Sequence, residues 1–409
     1  MSREITVEIE SLAPGGDAVG RQRAAEGAPP NLEAGDGRVT FVPLAAPGER
    51  VRARLEREKG KVAWAELTAI ERRSADRVEA PCPLFGACGG CQWQHVTLAA
   101  QHAAKKAIVE RALGRTIDAV AVVSAPYGYR DRARLAVGPA GTLGLRARRS
   151  HDVVDVPACP LFGPELTRAL PALRALARGL GAGVELDVHA GAGGVHVNVV
   201  RADATSAAHA RREVDRLEAA GVVGLALAGK PTWGRAEIDV AEPGSPPLAV
   251  PSDGFAQVGR SANAALVAAV LDAVGPAPGV VLELYAGSGN FTRHLLARAE
   301  AVHASDGDPA AVERGRRNAP GAAWALRPQP LTPDTVLLDP PREGADRAHL
   351  DAARGARRRI VYVSCDPQTL SRDSRALESS GFSPGRAVAL DLMPHTFHVE
   401  VVASFERPT

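Results

Sequence analysis

The apolar and polar positions of this chain change period along its length, and each change marks a different kind of structure. Near the start ITVEIE alternates strictly, Gly15-Gly16 supplies a turn, and GRVTFVPLAAPGERVRARL gives two further strands around Pro47-Gly48. Short strands joined by glycine turns predict an OB-like barrel over residues 1–72, with a Pro/Gly-rich loop from Gly27 to Gly37. Val96 to Leu113 has helical periodicity. Residues 165–240 alternate Ala/Leu/Arg helical runs with strands such as VELDVHA and GGVHVNVVRA, in which His189 and His196 read as ordinary strand residues. AEPGSPPLAVP (241–251) marks a boundary. Beyond it strand and helix alternate, which predicts a doubly wound α/β sheet over 251–409 and leaves 73–250 as a central domain.

The shortest apolar run carries the most chemistry. Ile360-Val361-Tyr362-Val363 is apolar without alternation, as a parallel strand buried on both faces requires. It stops at Ser364-Cys365-Asp366-Pro367, so Cys365 stands at the carboxyl end of a strand, where open α/β sheets hold their ligands. A thiol there is either a small buried hydrophobe or a nucleophile. VVLELYAGSGNFT (280–292) reads as strand, glycine turn and helix, with Glu283, Gly287 and Gly289 in a loose E-x3-G-x-G that lets backbone N–H groups approach a ligand. The next strand, AVHASDGDP, ends in Asp306, placed to receive ribose hydroxyls. No lysine follows the glycines, which argues against a phosphate-cradling loop and for a nucleoside cofactor without phosphates, such as S-adenosylmethionine. TVLLDPP ends in Asp339, and Arg342 stands where amino-group methyltransferases would carry an aromatic. FHVEVVASFE (397–406) alternates as a terminal strand that puts His398 and Glu400 on one face.

Composition narrows the class. A chain of 409 residues with 45% hydrophobic and 23% charged positions is globular and long enough for two or three domains. No apolar run reaches the length of a membrane span, and MSREITVEIE lacks the marks of a signal peptide, so the expected compartment is the cytoplasm. The net charge of +2 says less than its distribution. YGYRDRARLAVGPAGTLGLRARRS (127–150) holds six arginines against one acid, Asp131. Arg130, Arg132 and Arg134 would share one strand face, beside Tyr127 and Tyr129; this suits RNA, and a solvated edge strand is the bland alternative. Cysteines fall at 82, 88, 91, 159 and 365. The first three form C-x5-C-x2-C, and the phrase CPLFG begins at both Cys82 and Cys159. Four thiolates meeting at one centre suit zinc or an iron–sulfur cluster, and spacing leaves both open.

Together, SCDPQTLSRD, LLDPPREG, ELYAGSGNFT, the C-x5-C-x2-C hook and the terminal PHTFHVE resemble the RNA uracil-5-methyltransferase family. The likeness covers nearly the whole chain and falls in the branch with an N-terminal TRAM domain and an iron–sulfur cluster. It implies an α/β methyltransferase fold, doubly wound and Rossmann-like, over 251–409, preceded by an OB-like TRAM barrel (1–72) and a central α+β domain (73–250) carrying the cluster and a basic RNA-binding surface. It implies a 4Fe-4S cluster on Cys82, Cys88, Cys91 and Cys159, and S-adenosyl-L-methionine held by Gln257, Tyr285, Asn290, Asp306 and Asp339. Cys365 would be the nucleophile and Glu400 the base. The expected partner is structured RNA, rRNA ahead of tRNA, and the expected state is a monomer away from membranes. Two positions depart from the family pattern: Gly259 stands where Asn usually follows Q-V, and only 33 positions separate Asp306 from Asp339, with no polar residue identified there to meet an adenine.

The residue types match the chemistry implied. C5 of uracil is a poor nucleophile, and thiolate addition at C6 pushes electron density onto it. The saturated adduct still carries a proton on C5, which a carboxylate must remove before the thiol can leave. The uridine must also leave its stack, which Phe255 could assist, with a core phenylalanine as an equally weighted alternative. The alternatives are a tRNA uridine as substrate and a non-catalytic RNA-binding protein that has kept the fold.

Overall fold

The computed structural model describes residues 3–23, 37–122 and 125–408. The loop expected from Gly27 lies, up to residue 36, outside the described residues. The chain divides into two compact units, residues 1–108 with 393–398 and residues 109–392 with 399–409. Among the described residues no helix is long and apolar enough to cross a membrane.

The first unit is built on a closed five-stranded barrel in the order β1-β2-β3-β5-β4: β1 (Glu4–Leu12), β2 (Ala18–Arg23), β3 (Val39–Val42), β4 (Arg50–Lys59) and β5 (Val62–Arg72). Strict alternation sends Ile5, Val7 and Ile9 of β1 inward to meet Val42, Val51 and Ala65, while the outward arginines and glutamates pair across strands, as Arg72 does with Glu8 at 2.7 Å. Beyond the barrel Trp93 is fully buried and donates its indole N–H to the Gly16 carbonyl at 3.0 Å. The cysteine hook precedes it, and α1 (Leu98–Leu113) follows.

The second unit holds two large sheets. A short β6 (Ala121–Val122) leads to β7 (Arg132–Val137), β8 (Leu143–Arg146) and β9 (Val153–Asp155), then α2 (Pro164–Ala177), the hairpin β10 (Glu185–Gly191) and β11 (Gly194–Val200), the helices α3 (Ala204–Arg212) and α4 (Val214–Ala219), β12 (Val222–Leu227) and β13 (Lys230–Gly234). Their seven-stranded order is β13-β12-β11-β10-β7-β8-β9. One face carries Leu135, Leu186, Val188 and Val197 against Leu166, Leu170 and Leu173 of α2. The period of two then puts Arg132, Arg134, Asp187, His189, His196 and Asn198 on the other face, paired in register as Arg132–His189–His196 and Arg134–Asp187–Asn198.

After the small β14 (Ile238–Asp239) and β15 (Ala249–Val250) pair comes the doubly wound part: α5 (Arg260–Val274), β16 (Val280–Leu284), α6 (Thr292–Leu295), β17 (Ala301–Ser305), α7 (Pro309–Asn318), β18 (Ala323–Ala325), β19 (Thr335–Leu338), α8 (Arg347–Ala353), β20 (Arg359–Ser364), α9 (Pro367–Glu378), β21 (Ser383–Asp391) and β22 (Glu400–Glu406). The sheet order is β18-β17-β16-β19-β20-β22-β21-β6, parallel from β18 to β20, with β22 antiparallel between β20 and β21. Both faces are covered. Ile360 and Tyr362 of β20 pack in a cluster with Leu370 and Leu377 of α9, while Val361 and Val363 pack in another with Leu266 and Val270 of α5. This is why that strand is continuously apolar in sequence. The terminal strand begins at Glu400 and not at Phe397: the His398 amide turns to the Thr396 hydroxyl at 3.3 Å, so the expected shared face of His398 and Glu400 does not form.

Candidate active site

Topology collects the chemistry at one edge of the second sheet. β16, β17, β19 and β20 run parallel and are followed directly by Tyr285, Asp306, Asp339 and Cys365 respectively. β22 runs the other way, so its first residue, Glu400, arrives at the same edge. Ser364 pairs with Val401 as the last pair of that ladder, so Cys365 follows the end of β20 where Glu400 begins β22, and the Glu400 charge acts on the Cys365 thiol. Directly opposed residues of an antiparallel pair lie roughly 4.5–5.5 Å apart at Cα, with side chains on one face.

The loops are tightly held. Asp306 accepts the Gly287 N–H at 2.8 Å and the Asp308 N–H at 2.9 Å, locking the glycine turn onto the end of β17. Tyr285 takes a left-handed conformation (φ 59°) that turns the chain sharply off β16. Its hydroxyl accepts the Asp346 N–H at 3.1 Å, and its ring stacks on His349 with 4.1 Å between centroids. Asn290 exchanges two amide hydrogen bonds with Asn263, at 2.8 and 2.9 Å, and Asn263 is anchored in turn by Glu242 at 2.6 Å. Glu242 also pairs with the buried Arg293 at 2.8 Å. The departure at Gly259 has a local cause: a Cβ there would lie 2.0 Å from the Tyr129 carbonyl oxygen, so no side chain fits between α5 and that backbone.

A cavity of about 320 Å³ opens on this edge, lined among others by Gln257, Tyr285, Asn290, Asp306 and Asp339. The five residues implied for the cofactor thus share one space. Several acids at this sheet edge are buried, of which Asp339 lines the cavity. Burial pushes Glu283 up to about 8, opposed by the Thr292 hydroxyl bond at 2.6 Å and reinforced by the charges of Asp339 and Asp306. Asp339 keeps part of its surface open, yet burial raises it to about 7. Glu400 is buried and held well above the carboxylate range by burial first and by Asp339 second, with Arg342 opposing. Burial lifts Cys365 from its ordinary 9.0 to about 11; Glu400 and Asp339 add to this and Arg342 works against it. Acids raised in this way are stabilised in their ionised forms by a cationic ligand beside them.

The short interval after Asp306 contributes apolar and structural groups. Trp324 packs over Gly289 and Gly315, and a Cβ on Gly315 would meet its ring at 2.3 Å. Asp334 bonds the Val280 N–H at 2.9 Å, at the opposite end of β16 from the cavity. Two polar groups of this interval do line the cavity: Asp308, the N-cap of α7, and Arg314 of α7, which donates to the Ser288 hydroxyl at 3.2 Å. Periodicity had left His189 as an ordinary strand residue, but it too lines the cavity. Its position on the polar face of β10 was the signal available in sequence.

In the first unit the hook is a run of tight turns. The Phe85 N–H bonds the Cys82 carbonyl at 3.0 Å, the Gly90 N–H points at Cys88 Sγ at 3.4 Å, and the Gln94 amide donates to Cys91 Sγ at 3.1 Å while accepting the Cys82 N–H. All three sulfur-bearing residues are partly exposed. Cys159, also partly exposed, lies in the second unit between β9 and α2. Among the described residues no three His, Cys, Asp or Glu side chains converge as a metal-binding group.

Residues 328–407 match the tRNA (Uracil-5-)-methyltransferase family and residues 2–68 match the TRAM domain. The 23S rRNA (uracil(1939)-C(5))-methyltransferase RlmD of Salmonella typhimurium is 34% identical over 437 residues, covering 98% of this chain and 96% of its own. The chain belongs to the RNA uracil-C5-methyltransferase family. Another member, RlmD of Pectobacterium atrosepticum, is 32% identical over 447 residues and covers all of this chain. The crystal structure of Pyrococcus abyssi tRNA (uracil-54, C5)-methyltransferase in complex with S-adenosyl-L-homocysteine shares the fold, with a TM-score of 0.77 at 23% identity over 98% of this chain and 100% of that one. The methyltransferase fold behind a TRAM barrel, expected from the motifs, is therefore the fold of this family member.

Proposed function

We propose that this protein methylates C5 of a uridine in 23S rRNA, using S-adenosylmethionine. The observation that carries the reading is the pairing of Ser364 with Val401, which brings Cys365 and Glu400 to the same sheet edge that bears the cavity. S-adenosylmethionine supplies an electrophilic methyl group and a positive sulfonium, and the cavity offers Gln257, Asn290, Asp306 and Asp339 to hold it. A cation beside Asp339 also favours the ionised forms of Glu400 and Cys365, which burial disfavours in the free protein. Cys365 Sγ, as thiolate, would bond to uracil C6, and the electron pair displaced onto C5 would take the methyl carbon as its bond to the sulfonium sulfur breaks and S-adenosylhomocysteine leaves. Glu400 then removes the C5 proton, the C6–S bond breaks, and the thiolate departs. The Cys365 position, partly open to solvent at the strand end, supports access by a flipped base.

The four cysteines 82, 88, 91 and 159 are the proposed ligands of a 4Fe-4S cluster. The N–H donors aimed at Cys88 and Cys91 support thiolate character in the hook. We assign the protein to the cytoplasm as a monomer, with residues 1–72 and 73–250 binding RNA and 251–409 carrying the reaction. The alternative reading is a non-catalytic RNA-binding protein that has kept the fold; absence of S-adenosylmethionine binding by calorimetry would establish it.

The test is Glu400→Gln with an in-vitro transcript of the 23S rRNA segment around the uridine equivalent to 1939. Loss of the base should trap the Cys365 adduct as a denaturation-resistant protein–RNA band that Cys365→Ala abolishes. Wild-type turnover by Cys365→Ala would end the proposal.

A further inference from the structure

His189 is an anomaly in the polar face of the seven-stranded sheet. Its neighbour in register, His196, has both ring nitrogens occupied, Nδ1 by the Ser252 hydroxyl and Nε2 by the Arg235 carbonyl, each at 2.7 Å. His189 is 1% exposed, and neither of its nitrogens has a hydrogen-bond partner. A buried imidazole left unpaired costs about 1–3 kcal/mol per orphaned group. Burial, with the charges of Arg132 and His196 adding, pushes it down to about 3, so the ring is neutral and offers one N–H donor and one acceptor. The space it faces is the same cavity that reaches Asp339 and Asp306.

Resting on the reading above, we propose that His189 hydrogen-bonds the base edge of an unstacked RNA nucleotide that enters this cavity, and so positions the substrate. The cofactor is the weaker occupant for this wall. Arg132 lies directly across the strand pair from His189, and its guanidinium repels the sulfonium and ammonium groups that the acids at the other wall attract. Arg132 also donates to the Ala256 carbonyl at 3.0 Å and sits 5.4 Å over the ring of Phe255, which is 68% exposed. An exposed aromatic braced by a guanidinium is a stacking platform for a base, and the anionic backbone is drawn by the same charge. A neutral imidazole beside it is matched to a pyrimidine or purine edge, where carbonyl acceptors and N–H donors alternate.

The experiment compares His189→Leu and His189→Gln with the parent on the same transcript, measuring kcat, KM for RNA, adduct yield in the Glu400→Gln background, and S-adenosylmethionine affinity by calorimetry. His189→Leu removes the bond without loss of any hydrogen bond within the protein, and should reduce kcat/KM for RNA roughly tenfold while leaving cofactor affinity unchanged. His189→Gln, which keeps a donor and an acceptor, should recover part of that loss. A fall in kcat and adduct yield places the target uracil at His189, and a rise in KM alone places a flanking base there. Unchanged RNA kinetics in a folded His189→Leu, or a loss confined to cofactor binding, overturns the proposal. If neither variant folds, ring 15N shifts of His189 in the parent decide it, since no change at saturating RNA also overturns it. A parent that makes no 5-methyluridine would instead defeat the proposed function.

Discussion

Cys365 should be an unreactive thiol in the free protein. Burial and the acids beside it lift the sulfur from 9.0 to about 11. At pH 7.5, below both values, this two-unit rise makes the thiolate fraction about 100-fold smaller than that of an ordinary cysteine. A more basic thiolate is the better nucleophile, and a Brønsted slope of about 0.4–0.5 returns roughly six- to tenfold. The net expectation is alkylation about ten- to twentyfold slower than an unperturbed thiol, rising steadily with pH until near 11. The assay is competitive labelling with light and heavy iodoacetamide, read by mass spectrometry on the Cys365 peptide, with the urea-unfolded chain as reference. Arg342→Gln should slow labelling further, because that guanidinium is the group favouring the thiolate. A Cys365 that labels as fast as the unfolded chain at pH 7.5, or whose rate levels off below pH 9, would refute the reasoning.

Glu283 holds its proton in the fold up to about 8 while the unfolded chain releases it near 4.5, so stability should fall as pH rises between those values. The full span is on the order of 4–5 kcal/mol, and thermal melts of Glu283→Gln should show a shallower decline from pH 5 to 8 than the parent; parallel curves would count against it. Gly259→Ala puts a Cβ against the Tyr129 carbonyl and should lower the urea midpoint by about 1–3 kcal/mol of stability, an effect that an unchanged midpoint would disprove. Protein purified without oxygen should be brown and contain iron and sulfide, both lost in Cys88→Ser; stoichiometric zinc without iron would overturn the cluster.

The strand ends were legible because buried parallel strands write themselves as unbroken apolar runs: TVLL and IVYV place Asp339 and Cys365 without ambiguity. Alternation likewise revealed the barrel strand beginning at Glu4. What periodicity does not contain is pairing between strands distant in sequence. That β22 slots beside β20, and so sets Glu400 against Cys365, depends on sheet order. The basic stretch illustrates the same limit. Arg134 is spent on a bidentate pair with Asp187, at 2.7 and 2.9 Å, contributed by a strand about fifty positions away, while Arg132 keeps its place at the cavity. His189 went unrecognised because a histidine on a polar strand face looks solvated until another layer covers it.

The sheet order also has a consequence for biosynthesis. β22 lies between β20 and β21 although it leaves the ribosome after both. The two earlier strands must therefore wait unzipped, each with an unsatisfied row of peptide groups, until the last one threads between them. Glu400 travels on that final strand, so a nascent chain holds its sulfur long before it holds the acid facing it.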